Sequence, residues 1–193
     1  MPRVTLDEIV GLERYEEIRA AFRRRIIELK KHRRVAVGDR VTFVFENHDT
    51  MLFQIQEMVR TERIVDLDRI RDEIEVYNAL IPGPGELSAT MLIEITDAAN
   101  IADELLKLLG IDECVRLEIG DRRIAAQFEP GHSKEDKLSA VQYVRFALDP
   151  AACAAFVGGA VPVRLVIEHP NYRHAASIDA AVRISLAQDL QSA

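Results

Sequence analysis

Apolar side chains recur every three or four residues in several stretches of the chain, the spacing typical of helices that bury one face. The longest stretch, LERYEEIRAAFRRRIIELKKHRR at residues 12–34, predicts an amphipathic helix of about five turns. Asp49 or Thr50 is placed to cap the second predicted helix, and Asp149 to cap the fifth. The predicted helices are 12–34, 50–65, 67–77, 100–110, 150–160 and 177–190.

Alternating apolar and polar residues predict strands elsewhere, most clearly at Val41, Phe43 and Phe45. Glycine-aspartate pairs at 38–39 and 120–121 are the expected turns of two hairpins. The predicted hairpins are 35–47 and 115–129, and the predicted single strands are 86–95, 137–148 and 161–170. The strand at 161–170 is the last one that the pattern indicates, and PGHSKED at 130–136 is predicted to be a polar loop.

These elements together predict an α+β fold. Three strands follow one another with no helix between the second and the third, which favours a mostly antiparallel mixed sheet. We expect helices packed on one face of this sheet and the N-terminal helices as an added layer. The whole chain, residues 1–193, is expected to form one domain, and the PGPG loop at 82–85 is the candidate seam between sub-domains.

The composition is that of a packed domain. Of the 193 residues, 48% are hydrophobic and 30% are charged, which excludes wholesale disorder. No apolar run approaches the roughly 18 residues that a membrane span requires. The N-terminal stretch MPRVTLDEIV also lacks the apolar core of a signal peptide. We therefore expect a cytoplasmic protein.

Charge is distributed unevenly along the chain. The net charge is −7, which argues against general nucleic-acid binding. Residues 1–40 nevertheless carry eleven Lys and Arg against seven Asp and Glu, whereas the remainder carries fourteen against twenty-five. The basic first helix either docks an acidic partner or pairs with the acidic body of its own chain.

The motifs of several cofactor classes are missing. Cys114 and Cys153 are too few for an iron–sulfur cluster held by four thiolates of one chain. There is no dinucleotide fingerprint and no phosphate-binding P-loop. Glu129 and His132 have the E-x-x-H spacing of di-iron proteins, but the intervening Pro-Gly cannot hold a helix. A divalent metal held by His and Glu side chains is the candidate cofactor that remains.

The first candidate site is the heptapeptide EHPNYRH, residues 168–174, at the end of the last predicted strand. His169 and His174 lie five positions apart across a proline turn, so both are candidates to face one ion or anion. In a strand Glu168 and His169 point to opposite faces, so only one of them joins such a site. The alternative is a polar turn whose histidines form local hydrogen bonds.

The second candidate site is at the end of another predicted strand. Glu46 and His48 are two positions apart, so on an extended chain they share one face. A carboxylate and an imidazole placed together bind a cation or act as an acid–base pair. The alternative is a helix-entry turn in which Asp49 is the cap.

The third candidate is the polar face of the second predicted helix, in QIQEMVRTER. Glu57 is spaced to pair with Arg60, and Gln56 with Arg60 and Arg63, at about 0.2–0.5 kcal/mol for each surface pair. The same face is alternatively a buried polar network or a docking surface.

Five stretches together resemble a family of uncharacterised bacterial proteins, a domain of unknown function. They are KKHRRVAVGDRVTFVFEN, QIQEMVRTER, EVYNALIP, SAVQYVRFAL and IEHPNYRH, and they cover nearly the whole chain. Members of this family are often encoded beside rubrerythrin and an iron–sulfur oxidoreductase of the heterodisulfide-reductase type, which implies a role near peroxide defence or redox metabolism. The matching positions favoured as binding residues are Gln54, Glu57, Arg60, Arg63, Tyr77, Asn78, His169 and Tyr172.

Three functional hypotheses follow. The first is a non-enzymatic accessory or binding protein that docks on rubrerythrin or the iron–sulfur oxidoreductase. The second is a metal-binding protein or metal-dependent enzyme with a site at the strand ends. The third is a homodimeric scaffold without a small ligand. The expected metal ligands in the second hypothesis are Glu46, His48, His169 and His174.

Overall fold

The computed structural model describes residues 1–96, 100–129, 133–134 and 137–191, and it has the predicted α+β fold. Its helices are α1 (Leu12–Lys31), α2 (His48–Thr61), α3 (Leu67–Asn78), α4 (Ile101–Leu106), α5 (Pro150–Gly158) and α6 (Ala180–Gln191). Its strands are β1 (Arg34–Val37), β2 (Val41–Glu46), β3 (Glu86–Ile93), β4 (Val115–Ile119), β5 (Arg122–Ala125), β6 (Gln127–Phe128), β7 (Ser133–Lys134), β8 (Lys137–Leu138), β9 (Val141–Ala147), β10 (Val163–His169) and β11 (Tyr172–Ser177).

The strands form two main sheets, where the sequence predicted one. The five-stranded sheet has the order β1-β2-β3-β9-β6, and the four-stranded sheet has the order β11-β10-β4-β5. Every pairing between described strands is antiparallel. Alternation along a strand indicates which side chains share a face, but it does not indicate which strands pair. The division into two sheets therefore could not be predicted from the hydrophobic pattern.

The main hydrophobic core contains side chains from both sheets. Phe43, Phe45 and Met91 of the five-stranded sheet belong to the same buried cluster as Leu117 and Ile167 of the four-stranded sheet. Ile178, Val182 and Leu186, which the sequence places in register on the closing helix, are buried in this core. Each sheet therefore has one face in the core and a second face turned away from it.

A second hydrophobic core confirms the added N-terminal helical layer. Met51, Ile55 and Val59 of α2 pack with Ile70 and Ile74 of α3. This layer covers part of the outer face of the five-stranded sheet, where Tyr143 of β9 packs against it. β1 and β2 precede the PGPG loop at 82–85, and β3 follows it in the same sheet.

The helix caps are partly as predicted. Asp149 caps α5 by accepting a hydrogen bond from the Ala152 N–H at 2.7 Å, as expected. The cap of α2 is Asn47, and neither Asp49 nor Thr50. Its side chain accepts the Thr50 N–H at 3.0 Å, because the extended backbone of Asn47 turns directly into the helix.

Two predictions for the second half of the chain need correction. Residues 172–177 form β11, although 161–170 was predicted to hold the last strand; the segment has one bulky apolar residue and almost no alternation. The predicted loop at 130–136 contains the short strand β7, while 130–132 and 135–136, including the rejected ligand His132, lie outside the described residues. Across the described ranges, no helix is both long and apolar enough to cross a membrane.

Candidate functional site

A cleft of about 250 Å³ lies between the N-terminal helical layer and the outer face of the five-stranded sheet. Its floor comes from β1, β2, β3 and β9, and its walls come from α2 and from the C-terminal ends of α1 and α3. The lining residues are Lys30, Arg34, Val44, Glu46, Met51, Gln54, Tyr77, Leu80, Thr90, Leu92, Val141 and Tyr143.

Strand register explains which side chains form the cleft floor. In the antiparallel sheet Arg34 lies opposite Val44, Val44 opposite Thr90, and Thr90 opposite Tyr143. Residues opposite one another share a face, and their chain neighbours point to the other side. Because Phe43 and its counterparts face the main core, this row faces the helical layer.

Glu46 is the central residue of the cleft floor. Only 4% of its surface is exposed. Its Oε1 atom accepts a hydrogen bond from the Thr90 hydroxyl at 2.7 Å. Its Oε2 atom is buried and has no hydrogen-bond partner in the described part of the chain. An unpaired buried polar atom costs about 1–3 kcal/mol, and more when it belongs to a charged group, so this atom is a candidate acceptor for a hydrogen bond from a ligand.

The backbone that presents Glu46 is held by a buried arginine. Arg33 is 1% exposed, and its guanidinium donates hydrogen bonds to the carbonyl oxygens of Phe45 at 2.8 Å and Glu46 at 3.0 Å. The same guanidinium forms a buried ion pair with Asp189 of α6. These bonds from Arg33 fix the backbone at the end of β2, which holds the Glu46 carboxylate in place.

Two tyrosines line the cleft near Glu46. Tyr77 comes from the last turns of α3, and Tyr143 comes from β9. Burial raises the pKa of Tyr143, and the nearby phenol of Tyr77 raises that pKa further. The negative charges of Glu129 and Glu46 act in the same direction. Tyr143 is thus a neutral phenol at neutral pH, and its side chain contributes a hydroxyl group and an aromatic ring to the cleft lining.

The same cleft is also lined by positive charge. Lys30 is half-buried and forms no ion pair within the described residues. Arg34 is exposed, and its Nη1 atom lies 4.0 Å from Glu94 Oε1, the outer limit of an ion pair. Neither cation is paired with Glu46. The cleft therefore offers a carboxylate, an amide from Gln54, two phenols and two cations to one small molecule.

The cleft brings together three of the sequence-predicted residues, Glu46, Gln54 and Tyr77. Sequence reasoning missed Tyr143 and Lys30. Tyr143 was detectable as a polar residue on the predicted strand 137–148, but its place beside Glu46 depends on which strands pair, and one sequence does not give that pairing.

Glu57 and Arg60 form the pair that the sequence predicts on α2, and they belong to a half-buried polar network between α1 and α2. Glu57 accepts two hydrogen bonds from Arg19, both at 2.8 Å, and one from the Tyr15 hydroxyl at 2.7 Å. Arg60 Nε lies 3.6 Å from Glu57. The Arg19 guanidinium, aided by Tyr15, lowers the pKa of Glu57 from 4.5 to about 2.

Two amide side chains clamp the N-terminal segment onto the helical layer. Gln56 is buried and binds both the N–H and the carbonyl of Val10, at 3.0 and 2.9 Å, so it does not pair with Arg60 or Arg63 as predicted. Asn78 binds the N–H and carbonyl of Val4 in the same way, at 2.8 and 2.9 Å. Arg63 follows α2, is exposed and adopts a φ of 53°.

The heptapeptide EHPNYRH is the turn and flanks of the β10–β11 hairpin. His169 is 5% exposed, and both of its ring nitrogens are occupied: Nε2 bonds to the Leu109 carbonyl at 2.9 Å, and Nδ1 accepts the Asn171 N–H at 3.2 Å. His174 is exposed, and its ring contacts that of Tyr172 at a tilt of 50°, with ring centroids 4.4 Å apart. The polar-turn alternative describes this segment.

Tyr172 joins the two sheets through its hydroxyl. The hydroxyl donates to the Val37 carbonyl at 2.7 Å and accepts the Arg40 N–H at 2.9 Å, which fixes the β1–β2 turn against β11. Gly38 in this turn has a φ of +74°, and an added Cβ would lie 2.6 Å from the His174 ring. Only glycine satisfies both conditions.

The four expected metal ligands are not brought together. His48 lies within 3.0 Å of Glu8 and 3.3 Å of Asp49, because the chain turns into α2 at Asn47 and is not extended from Glu46 to His48. His169 and His174 lie on the hairpin of the other sheet. Within the described ranges, no three His, Cys, Asp or Glu side chains are placed to hold one metal ion.

Comparison with known proteins identifies a family and a fold. The family model described as a protein of unknown function, DUF3501, matches residues 3–190. The chain is similar to the crystal structure of a novel protein of unknown function from Burkholderia pseudomallei K96243, with 34% identity and a TM-score of 0.92; the match covers 98% of this chain and 100% of that one. No curated protein matches. The chain therefore belongs to the DUF3501 family.

Proposed function

We propose that the protein is a binding protein without catalytic activity of its own, and that its cleft takes a small molecule on the Glu46 carboxylate. The observation that carries this proposal is the buried Glu46 Oε2 atom, which has no partner in the described part of the chain. A ligand that donates a hydrogen bond to this atom removes the cost of leaving it unpaired. It also gains a charge-assisted bond of about 1.5–3 kcal/mol.

The tyrosines favour an organic cation as the group that meets Glu46. An ammonium group is attracted to the faces of aromatic rings, and Tyr77 and Tyr143 both line the cleft beside the carboxylate. The rest of the lining includes Met51, Leu80 and Leu92, which suit a short apolar chain on the ligand. A small amine with a hydrocarbon body fits this combination of groups.

Titration with n-butylamine, followed by amide chemical shifts in NMR spectra, tests the proposal. We expect saturable shifts at Glu46, Gln54, Thr90 and Tyr143. Glu46→Gln keeps the shape of the side chain but removes its charge, so we expect at least tenfold weaker binding. The matched control is Glu75→Gln, which removes the same charge from an exposed position on α3.

Two results would count against this function. One is an absence of saturable shifts around the cleft with butylamine at any accessible concentration. The other is equal weakening by Glu46→Gln and Glu75→Gln, because that result would mean that the amine senses only the net charge of the protein. Thermal melting of both variants checks that each remains folded.

A second candidate function is docking of a protein partner on the outer face of α1. Most basic side chains of residues 1–40 have acidic partners within the chain, but Arg23 and Arg24 are exposed and form no ion pair with any described residue. Ile27, one turn further along, is 43% exposed. A basic and apolar strip of this kind suits an acidic surface, such as one on rubrerythrin or the iron–sulfur oxidoreductase that the family resemblance implies.

Co-migration of the purified proteins at low salt tests this second function. We expect a complex that weakens as salt rises and that is lost in Arg23→Glu/Arg24→Glu. Arg69→Glu/Arg71→Glu, which makes the same charge change on exposed positions of α3, is the control and should leave the complex intact. Co-migration that is insensitive to salt and to the α1 variant would contradict the assignment of this surface.

A further inference from the structure

The cleft contains opposite charges that do not neutralise one another. Glu46 Oε2 has no partner among the described residues, and Lys30 lines the same space without an ion pair there. Arg34 reaches only the 4.0 Å contact with Glu94. Chains normally pair such groups with each other when they share a partly buried site, because an unpaired charge costs more as its contact with water is reduced.

The side-chain contacts of these groups keep the charges apart, since long side chains could otherwise span the diagonal distance between their positions. Arg34 lies opposite Val44, and Glu46 is the next residue along β2 on the same face. Residues two apart on a strand are separated by about 7 Å and neighbouring strands by about 4.8 Å, so the two Cα atoms lie about 8 Å apart. Glu46 is fixed at the floor through Thr90 and through its own backbone, whereas Arg34 extends to the exposed side.

From these observations, and resting on the proposed function, we infer that the ligand of the cleft is a small zwitterion. Its ammonium group meets Glu46 between Tyr77 and Tyr143, and its carboxylate or other anionic group meets Lys30 and Arg34. A volume of about 250 Å³ holds about eight non-hydrogen atoms if each occupies the ~30 Å³ of a water molecule. A four-carbon amino acid with its charges at opposite ends has this size.

Three probes of equal chain length separate the contributions of the two charges. They are 4-aminobutyrate, n-butylamine and butyrate, each titrated into the full-length protein and followed by amide shifts of the cleft residues. We expect 4-aminobutyrate to bind at least tenfold more tightly than either probe with a single charge, because it alone satisfies both ends of the cleft.

Variants of Lys30 and Arg34, the two cations at the rim of the cleft, test recognition of the ligand's carboxylate independently of Glu46. In Lys30→Gln/Arg34→Gln we expect 4-aminobutyrate to lose its tenfold advantage, while butylamine binds as tightly as before or more tightly. The matched control, Arg23→Gln/Lys31→Gln, removes two charges from exposed positions of α1 and should keep the advantage. Melting curves for both double variants confirm that they are folded.

The outcomes distinguish the ligand class from the proposed function. Equal binding of 4-aminobutyrate and butylamine to the wild-type protein overturns the zwitterion and leaves a cation-binding cleft. A 4-aminobutyrate advantage that survives in the rim variant overturns the roles of Lys30 and Arg34. Failure of both amines to bind in the cleft overturns the zwitterion and the proposed function together.

Discussion

The two sheets each carry one buried carboxylate on the face turned away from the shared core, but the two carboxylates have different surroundings. Glu118 of β4 is 7% exposed and accepts hydrogen bonds from Arg116 at 2.9 Å and Arg164 at 2.6 Å. Its pKa is lowered, chiefly because of the bond from Arg116. Glu46 of β2 has one hydroxyl partner and one unpaired oxygen.

This difference separates a structural carboxylate from one that is available to a ligand. Arg116 of the same strand and Arg164 of the neighbouring strand β10 satisfy Glu118, so a ligand would have to displace them. Glu46 is equally buried, but the cations nearest to it in the cleft do not reach it. A ligand that binds a buried carboxylate lacking hydrogen-bond partners supplies a missing hydrogen bond, which favours binding. A carboxylate whose partners are already present gains no such bond.

The position of Glu46 depends on the hydrogen bonds that Arg33 makes to the end of β2 and to Asp189. Removing these bonds should have the largest effect on stability. Arg33→Met removes the guanidinium that donates to the Asp189 carboxylate and to the carbonyl oxygens of Phe45 and Glu46. We expect the free energy of unfolding to fall by about 3–5 kcal/mol, measured by urea denaturation. Arg34→Met, at the exposed neighbouring position, should cost less than about 1 kcal/mol. Similar losses in the two variants would contradict the role given to Arg33.

Neutralising the satisfied carboxylate should have the next largest effect. Glu118→Gln removes the negative charge that Arg116 and Arg164 share and replaces one acceptor oxygen with an NH2 group facing an arginine, so we expect a loss of about 1–3 kcal/mol in the free energy of unfolding. Glu113→Gln, an exposed position shortly before β4, is the control for charge alone. An unchanged free energy of unfolding in Glu118→Gln would contradict the structural role given to Glu118 and with it the contrast with Glu46.

Glu57, like Glu118, is a carboxylate that accepts hydrogen bonds from an arginine, and unfolding at acid pH tests its contribution to stability. The folded pKa of Glu57 lies at about 2, below its ordinary 4.5, so the ionised form stabilises the fold above about pH 4.5. That contribution should be lost as the pH falls from 4.5 towards 2. Unfolding measured across this range should be less pH-dependent in Glu57→Gln than in the wild-type protein. Identical profiles would show that the network with Arg19 contributes nothing.

The smallest effect, with the opposite sign, is expected for the unsatisfied carboxylate. Glu46→Gln keeps an acceptor for the Thr90 hydroxyl and removes a buried charge that lacks a partner. We expect the free energy of unfolding to change by less than about 1 kcal/mol, in the stabilising direction, although ligand binding weakens at least tenfold. A loss as large as that in Glu118→Gln would mean that Glu46 is structural.

Much of the helical structure was predictable from the sequence. The apolar spacing on α1, α2, α3 and α6 is local information, and Asp149 followed by Pro150 marks a helix start without any tertiary context. β11 was not predictable in this way. Its side chains, apart from Tyr172, are small or polar, and it is a strand because β10 provides a partner along the whole hairpin.

The candidate site was predictable only in fragments. Glu46 was noticed as a strand-end carboxylate, but it was paired with His48, whose position depends on the cap at Asn47. Tyr143 and Lys30, which are 97 and 16 positions from Glu46 in the sequence, reach the cleft through strand pairing and helix packing. The spacing of residues along one sequence does not show which segments lie close together in space, so the neighbours of Glu46 in the cleft could be identified only from the structure.

The buried ion pair between Arg33 and Asp189 joins positions 156 residues apart. During synthesis on the ribosome, the end of β2 emerges long before the helix that carries its counter-charge. Until α6 has been translated and has docked, Arg33 lacks its acidic partner, and the strand that carries Glu46 is not yet anchored. A nascent chain that stops before residue 189 would therefore lack this anchor, and we expect ligand recognition to begin only after α6 has docked.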